Sequence, residues 1–554
     1  MRIFLVFLSS LNAVVFCEEL VCHKSVFINH YDLEIILKPD SSIVEAKGRL
    51  QIQILGKDLE KFALLLNRDF EINFITSAGK EIDYNIVRQK NRFGISKVIE
   101  INVKDNALVI PEKYFIEIGY KGKITEKLYE LNMVSADITE LSNYALWVPQ
   151  IEGSEFRYSL KLICPLENIV ICNADFIREE IVGSKKVSYW NQTRLVKDIV
   201  LVASPHFKKI GRRFKDVTVN FYYCLMPPKL AEQEIDDIIY TLKTYTTLFG
   251  KCKYSKQLAL VYSPRGGWGY KRDDLSVMSE VEAIAASTNR IGKSPEDFGL
   301  KTDPNTQMAQ YALFGIRNFM GHEPCHYWWG GGVESNSLWI VEGFTQFSDI
   351  YLAETKFGFH NSLRLYLLLE MLIYKNISNE TPLCDVSREQ IDCHDHAYKK
   401  GSWVLRMLRY VIGDVAFFKS LNNFYLEHKD TGKVTPRDFQ RCAQRYYGEN
   451  LDWFFDEWVW NYYEAPRYEL KYDIIPNGKG YKIVGEIVQT GKYLFKMPLE
   501  IGIKYGKKIE VKKIWTEDNE TPFVFKTKRK PAVVILDPNI KVLQHTIRTE
   551  MLHK

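Results

Sequence analysis

The stretch Gly321-His322-Glu323-Pro324-Cys325-His326-Tyr327-Trp328-Trp329-Gly330 contains the pattern H-E-x-x-H. On a helix, four-residue spacing brings both imidazoles to one face, where they can meet a single metal ion. Two neutral imidazoles suit zinc, and a zinc site that does chemistry adds a third protein ligand and keeps one position open for water. Glu342 is the candidate third ligand. It lies 16 residues after His326, in Trp339-Ile340-Val341-Glu342-Gly343-Phe344, a run that can form a second helix after the turn Gly330-Gly331-Gly332. Glu323, pinned beside the ion by its neighbours and pointing at the open position, is the candidate general base. Pro324 disturbs this picture, because a proline inside a helix removes one backbone bond and clashes one turn back, at about 3 kcal/mol. With Gly321 adjacent, either the helix begins close to Gly321 or it is kinked at the metal.

Outward from this segment the hydrophobic period changes twice. From about residue 22 to 210 it is two, as in Tyr31, Leu33, Ile35 and Leu37 and again in Leu50, Ile52 and Ile54, with further short runs at Phe115 to Gly119, Tyr158 to Ile163 and Ile199 to Ala203. This predicts an antiparallel β domain. After Pro227-Pro228, the residues Leu230, Ile235, Ile238, Ile239, Leu242, Tyr245 and Leu248 fit one helix face that stops at Gly250, and helical patterns run to about Tyr463. Beyond Pro466 alternation returns in Tyr481 to Val488, Ile501 to Tyr505 and Val533 to Leu536, with Asn477-Gly478 and Tyr505-Gly506 as turns. No repeat of fixed period and no low-complexity linker is present.

The chain has 554 residues, enough for two to four domains. Its 74 basic and 69 acidic residues form no long one-sign block, which gives no case for nucleic acid. Met1-Arg2 and the apolar run Ile3 to Phe16 read as a signal peptide, with cleavage after Cys17 leaving Glu18 first, and imply a secreted or periplasmic protein. No later stretch is long and apolar enough for a transmembrane helix in the mature chain. Ten cysteines include no C-x-x-C pair; Cys164 with Cys172 and Cys384 with Cys393 are candidate local disulfides. Asn191, Asn376, Asn379 and Asn519 open glycosylation acceptor patterns that matter in a eukaryotic source.

The chain resembles the M1 (gluzincin) zinc aminopeptidases. The resemblance rests on His322-Glu323-x-x-His326-Tyr327-Trp328-Trp329-Gly330 with Leu338-Trp339-Ile340-Val341-Glu342-Gly343-Phe344, and on Ala397-Tyr398-Lys399-Lys400-Gly401. It implies one Zn2+ held by His322, His326 and Glu342, with Glu323 activating the zinc-bound water. Tyr398 matches the tyrosine of a Tyr-x-Lys-Gly motif that hydrogen-bonds the oxyanion, a donor worth about 3 kcal/mol in such sites. Weaker similarities, His30-Tyr31-Asp32-Leu33, Trp453 to Trp458 and Leu536-Asp537-Pro538, extend it along the chain. The large helical C-terminal domain of many relatives is not expected within the roughly 90 residues of this sequence after Tyr463.

Two further departures from the family pattern stand out. The spacer between His326 and Glu342 is 15 residues, against 18 in most of the family. The family's Gly-Ala-Met-Glu-Asn motif, whose glutamate grips the free amino terminus, is replaced by Gly266-Gly267-Trp268-Gly269-Tyr270. Gly266, Gly267, Gly269 and Tyr270 still suit a strand edge to which a peptide can add. Glu280 and Glu282 are possible substitutes for the missing carboxylate, and His394-Asp395-His396 reads as a polar loop ahead of Tyr398. The expected fold is thus α+β and multidomain: a signal peptide at 1–17, an N-terminal antiparallel β domain at 18–210, a thermolysin-like zinc metallopeptidase domain at 211–464 and a small C-terminal β-sandwich at 465–554. The expected function is hydrolysis of peptide or protein substrates, as an aminopeptidase first, with a metallo-endopeptidase or a non-catalytic peptide-binding relative as alternatives.

Overall fold

The computed structural model describes residues 25–55, 59–91, 94–103, 114–124, 132–252, 257–267, 269–284, 319–358, 361–374, 381–386, 395–462 and 464–552. The signal-peptide segment, Cys17, Cys22, Trp268, Asn376, Asn379, Cys393 and His394 lie outside them. The chain forms two compact units, Met1–Ile235 with Ser255–Ala283, and Asp236–Tyr254 with Ile284–Lys554.

In the first unit the period-two runs form an eight-stranded sheet. Its spatial order is Asp175–Val182, Lys185–Val196, Phe156–Pro165, Val26–Lys38, Ile43–Ile54, Tyr114–Lys123, Glu71–Ser77 and Lys80–Glu81. Every pairing is antiparallel except that of Val26–Lys38 with Phe156–Pro165. One face of Val26–Lys38, with Tyr31, Leu33, Ile35 and Leu37, is buried in the core. Alternation therefore decides which face turns inward, as a half-buried sheet requires. Cys164 and Cys172 are both buried free thiols. They sit in different sheets, and Cys172 Sγ instead lies 3.2 Å from the Tyr158 hydroxyl, so the expected local disulfide is absent.

The same unit carries a five-stranded mixed sheet in the order Lys208–Phe214, Val217–Tyr223, Gln257–Ser263, Leu275–Ser279 and Tyr270–Arg272. Between the parallel strands Val217–Tyr223 and Gln257–Ser263 the chain passes through the helix Pro228–Phe249. Tyr270–Arg272 is an edge strand, joined to the sheet by Leu275–Ser279 alone.

The second unit contains the helices Phe319–Cys325, Phe344–Phe357, Asn361–Tyr374 and Gly401–His428, the last broken at Gly413, where φ is +80°. Its C-terminal strands form a four-stranded and a three-stranded sheet. Tyr472, Ile483, Leu499, Ile501, Ile503 and Val534 are buried within this small sandwich, and the Val534 N–H approaches the Tyr472 hydroxyl at 3.4 Å. Within the unit, Trp458 packs on Phe495 and Trp453 on Trp515, at centroid separations of 4.6 and 5.9 Å. In chain order the fold is an N-terminal multi-sheet β region followed by a helical region and a small β-sandwich.

Candidate metal centre

His322 stands on the short helix Phe319–Cys325, and His326 on the turn that follows it. Past Pro324 the backbone tightens: His326, Tyr327 and Trp328 donate to the carbonyls three residues back, at 3.2, 3.1 and 2.9 Å. The proline thus falls near a helix end, and the second histidine is presented by a tight turn rather than by the helix itself. Gly321 serves a close approach. A Cβ there would come within 2.0 Å of Asp349 Oδ1 and 3.2 Å of Leu352, both on Phe344–Phe357. The Gly321 carbonyl accepts a hydrogen bond from the Tyr245 hydroxyl at 2.8 Å.

Glu342 lies on a π-helical turn, Trp339–Gly343, which runs directly into Phe344–Phe357. Tyr398 lies on a second π-helical turn, Asp395–Lys400, which runs into Gly401–His428. Such turns insert a residue into a helix and re-aim its side chains, and they gather at functional sites. The two turns cross where neither has a side chain. A Cβ on Gly343 would lie 2.6 Å from Trp339 Cδ1, 3.0 Å from the Ala397 carbonyl oxygen and 3.2 Å from Gly401 Cα. The Trp339 indole N–H locks the crossing by donating to the Gly401 carbonyl at 3.1 Å.

This framework brings His322, His326 and Glu342 together. Glu342 Oε2 is 3.6 Å from His322 Nε2 and 3.5 Å from His326 Nε2. A tetrahedral zinc with bonds of about 2.0–2.2 Å spaces its donors by roughly 3.3 Å, which both of these separations approach, and all three ligand atoms lie within 4.8 Å of one another. His326 Nδ1 lies 3.0 Å from the Trp329 carbonyl oxygen, which can only accept. The proton therefore sits on Nδ1 and leaves the Nε2 lone pair facing Glu342, the tautomer that binds a metal. Two nitrogens and a carboxylate oxygen, with the carboxylate 5% exposed, form a borderline donor set suited to zinc. Glu323 is 8% exposed, and the Tyr398 ring stacks on His322 with centroids 5.7 Å apart and planes 9° from parallel.

Around Tyr398 the residues differ from a polar loop. His396 is fully buried, and burial together with the nearby Lys400 cation holds its pKa down at about 3. Lys400 is buried as well; burial lowers it to about 7, and its ammonium donates to the Tyr462 carbonyl at 2.6 Å. Lys399 reaches the buried Glu370 at 3.1 Å, while Gln346 and Tyr366 also donate to that carboxylate. Both residues that follow Tyr398 in Tyr-x-Lys-Gly are thus tied into the protein interior.

Gly266, Gly267, Gly269 and Tyr270 belong to the first unit, at and just ahead of the edge strand Tyr270–Arg272. The Gly267 N–H donates to Glu282 at 3.0 Å. Glu280 caps a different turn, accepting from the N–H groups of Cys224, Leu225 and Met226 at 2.7–3.0 Å; burial raises its pKa to about 7 despite these donors. Of the two carboxylates considered for the amine anchor, one is therefore occupied by three backbone groups and the other supports the glycine run. Sequence reading missed a buried bidentate pair, in which Arg265 Nε and Nη2 each donate to Glu140 at 2.8 Å. The partners are 125 residues apart, and no local pattern links them.

Residues 297–458 match the model of the peptidase family M1 domain. Among curated proteins the chain is 21% identical over 444 residues to a probable aminopeptidase 2 of Sulfurisphaera tokodaii, covering 72% of this chain and 53% of that protein. It is also 21% identical over 431 residues to the endoplasmic reticulum aminopeptidase 2 of Bos taurus, covering 71% and 42%. A solved structure of Legionella pneumophila aminopeptidase A, in complex with aspartic acid, matches with a TM-score of 0.66 at 17% identity over 94% of this chain and 59% of that one, which shows the shared fold. The chain spans about half the length of the curated relatives it matches along most of its own length.

Proposed function

We propose that this chain, an M1 family aminopeptidase-like protein, hydrolyses peptide bonds at a single zinc centre held by His322, His326 and Glu342. The observation that carries the reading is the approach of Glu342 Oε2 to both imidazole Nε2 atoms at 3.5–3.6 Å, with the His326 proton held on the far nitrogen by the Trp329 carbonyl. Zinc in this donor set supplies a Lewis acid that polarises the scissile carbonyl and lowers the pKa of water at the open position. Glu323 takes the proton of the attacking water and hands it to the leaving amine; its place beside His322 and its burial support that role. Tyr398 donates its phenol proton in a hydrogen bond to the developing oxyanion, and the stacking of its ring on His322 supports that role. Gly266, Gly267, Gly269 and Tyr270 are the proposed peptide-contacting residues, on the glycine-rich pattern that suits close backbone approach.

Aminopeptidase action is the first form of this reading, on the strength of the relatives. Endopeptidase action is the second, favoured by the lack of any carboxylate in Gly266–Tyr270 and by the engagement of Glu280. Export is also part of the proposal, resting on the Met1–Cys17 pattern, and a mature amino terminus at Glu18 is its readout. A peptide set offered with free and with acetylated amino termini, to wild type and to Glu323→Gln, tests the whole. Cleavage abolished in Glu323→Gln is expected; loss of one residue from free termini alone gives the aminopeptidase form, and internal cuts in blocked peptides give the other. Cleavage that survives Glu323→Gln contradicts the assignment.

A further inference from the structure

The strand Asp175–Val182 ends the eight-stranded sheet, and all eight of its residues are exposed. Phe176, Ile177, Ile181 and Val182 are 51, 57, 66 and 60% exposed. An edge strand offers a row of backbone N–H and C=O groups to any other strand, and soluble proteins normally guard such rows with lysine, proline or a bulge. Here a bulge sets Ile177 out of the ladder with Lys185–Val196. From Arg178 to Val182 the register is regular, and the strand has neither lysine nor proline.

We propose that this edge is a self-association surface, on which two copies of the chain pair antiparallel through Asp175–Val182 about a two-fold axis at Glu179. The charge pattern selects both the occupant and the register. A two-fold axis normal to a continuous sheet keeps each side chain on its own face, so the axis must pass through a residue rather than between two. Centred on Glu179, Arg178 faces Glu180 of the second copy, twice by symmetry, and both residues lie in the regular stretch that follows the bulge at Ile177. Centred on Arg178, arginine faces arginine and the ladder runs at once into the bulge at Ile177. Centred on Glu180, glutamate faces glutamate and Glu179 faces Ile181. The Glu179 register alone among these sets opposite charges directly against each other, two Arg178–Glu180 pairs against one Glu179 pair on the axis, and opposite-charge pairs stabilise a ladder.

The charged pair is already ordered within one copy. Arg178 donates to Glu180 at 3.1 Å and lies 3.8 Å over the Tyr189 ring, and the Tyr189 hydroxyl donates to Glu180 at 3.0 Å. Less side-chain freedom is then lost on pairing. The two Glu179 side chains meet on the axis, each with Lys186 Nζ of its own hairpin 4.0 Å away to offset their repulsion.

Sedimentation equilibrium on the full chain between about 1 and about 100 μM tests this, a range that brackets dissociation constants near about 10 μM. Wild type is expected to dimerise with rising concentration, and Arg178→Glu and Glu180→Arg are each expected to weaken the dimer at least about tenfold. An equimolar mixture of the two variants should recover it, because both pairs between positions 178 and 180 across the axis then again join one acid to one base. Glu179→Cys should give a reducible cross-linked dimer on mild oxidation, against a wild-type control without one. A wild type that stays monomeric throughout overturns the proposal. So does a dimer that neither charge change affects, or a mixture that does not re-form.

Discussion

Gly343→Ala asks whether the crossing of the two π-helical turns holds the metal centre together. The added methyl would sit 2.6 Å from Trp339 Cδ1, 3.0 Å from a backbone oxygen and 3.2 Å from the Gly401 Cα. Two of these three neighbours belong to the main chain and cannot swing aside, so the turns must separate. Overpacking of this kind costs about 1–3 kcal/mol. The separation moves Glu342 relative to Tyr398 and His322, because Glu342 adjoins Gly343 and Tyr398 lies three residues before Gly401. If all of the strain falls on the metal-holding geometry, zinc affinity drops by roughly 5- to 150-fold. Competition with a chromophoric chelator reads the affinity, and urea unfolding of the zinc-loaded protein reads the stability. Gly211→Ala is the control: a Cβ there meets only Asn220 Oδ1 at 3.9 Å, and the change should stay within about 0.5 kcal/mol of wild type. A Gly343→Ala protein with wild-type stability and wild-type chelator resistance would refute the reasoning.

Three further outcomes follow from contacts elsewhere. Tyr398→Phe should lower kcat by about 10²- to 10³-fold with little change in KM, read by steady-state kinetics on a cleaved peptide; an unchanged kcat removes Tyr398 from the chemistry. His396 stays neutral in the folded protein down to about pH 3, whereas the unfolded chain protonates it near 6.5, so its contribution is complete above pH 6.5 and is lost as pH falls toward 3. Within that window the loss approaches about 1.4 kcal/mol per pH unit, and His396→Gln should flatten urea-derived stability against pH by that slope; parallel curves for the two proteins would contradict it. Glu140→Leu strands the Arg265 guanidinium, 5% exposed, and should destabilise the protein by about 3–5 kcal/mol, while adding Arg265→Leu should recover most of the loss in the same unfolding assay; a double variant as weak as the single one would mean that the pair is not the source.

Much of the architecture could be read in advance, because alternation is a direct record of which face is buried. The run from Tyr31 to Leu37 follows it. The convergence of His322, His326 and Glu342 was legible for a related reason: H-E-x-x-H followed by a Glu-bearing apolar segment sets particular donor types at particular spacings. What stayed hidden depends on non-local geometry. Nothing in Trp339–Gly343 or Asp395–Lys400 distinguishes a π-helical turn from an α-helix, since the difference lies in one displaced hydrogen bond and in a neighbour at Gly343 and Gly401. His396 and Lys400 are residue types usually found at the surface, and only packing against the interior reveals them as buried. The Glu140 and Arg265 pair needed the fold before it could be seen.

The central claim is that His322, His326 and Glu342 form one zinc site. Elemental analysis of the purified full chain, after dialysis against zinc-free buffer, bears on it most directly. About one zinc per wild-type chain is expected, substantially less in His326→Ala and in Glu342→Ala with the fold intact by circular dichroism, and full retention in Glu323→Gln. Zinc absent from the wild type, or retained in full by the folded Glu342→Ala protein, would contradict it.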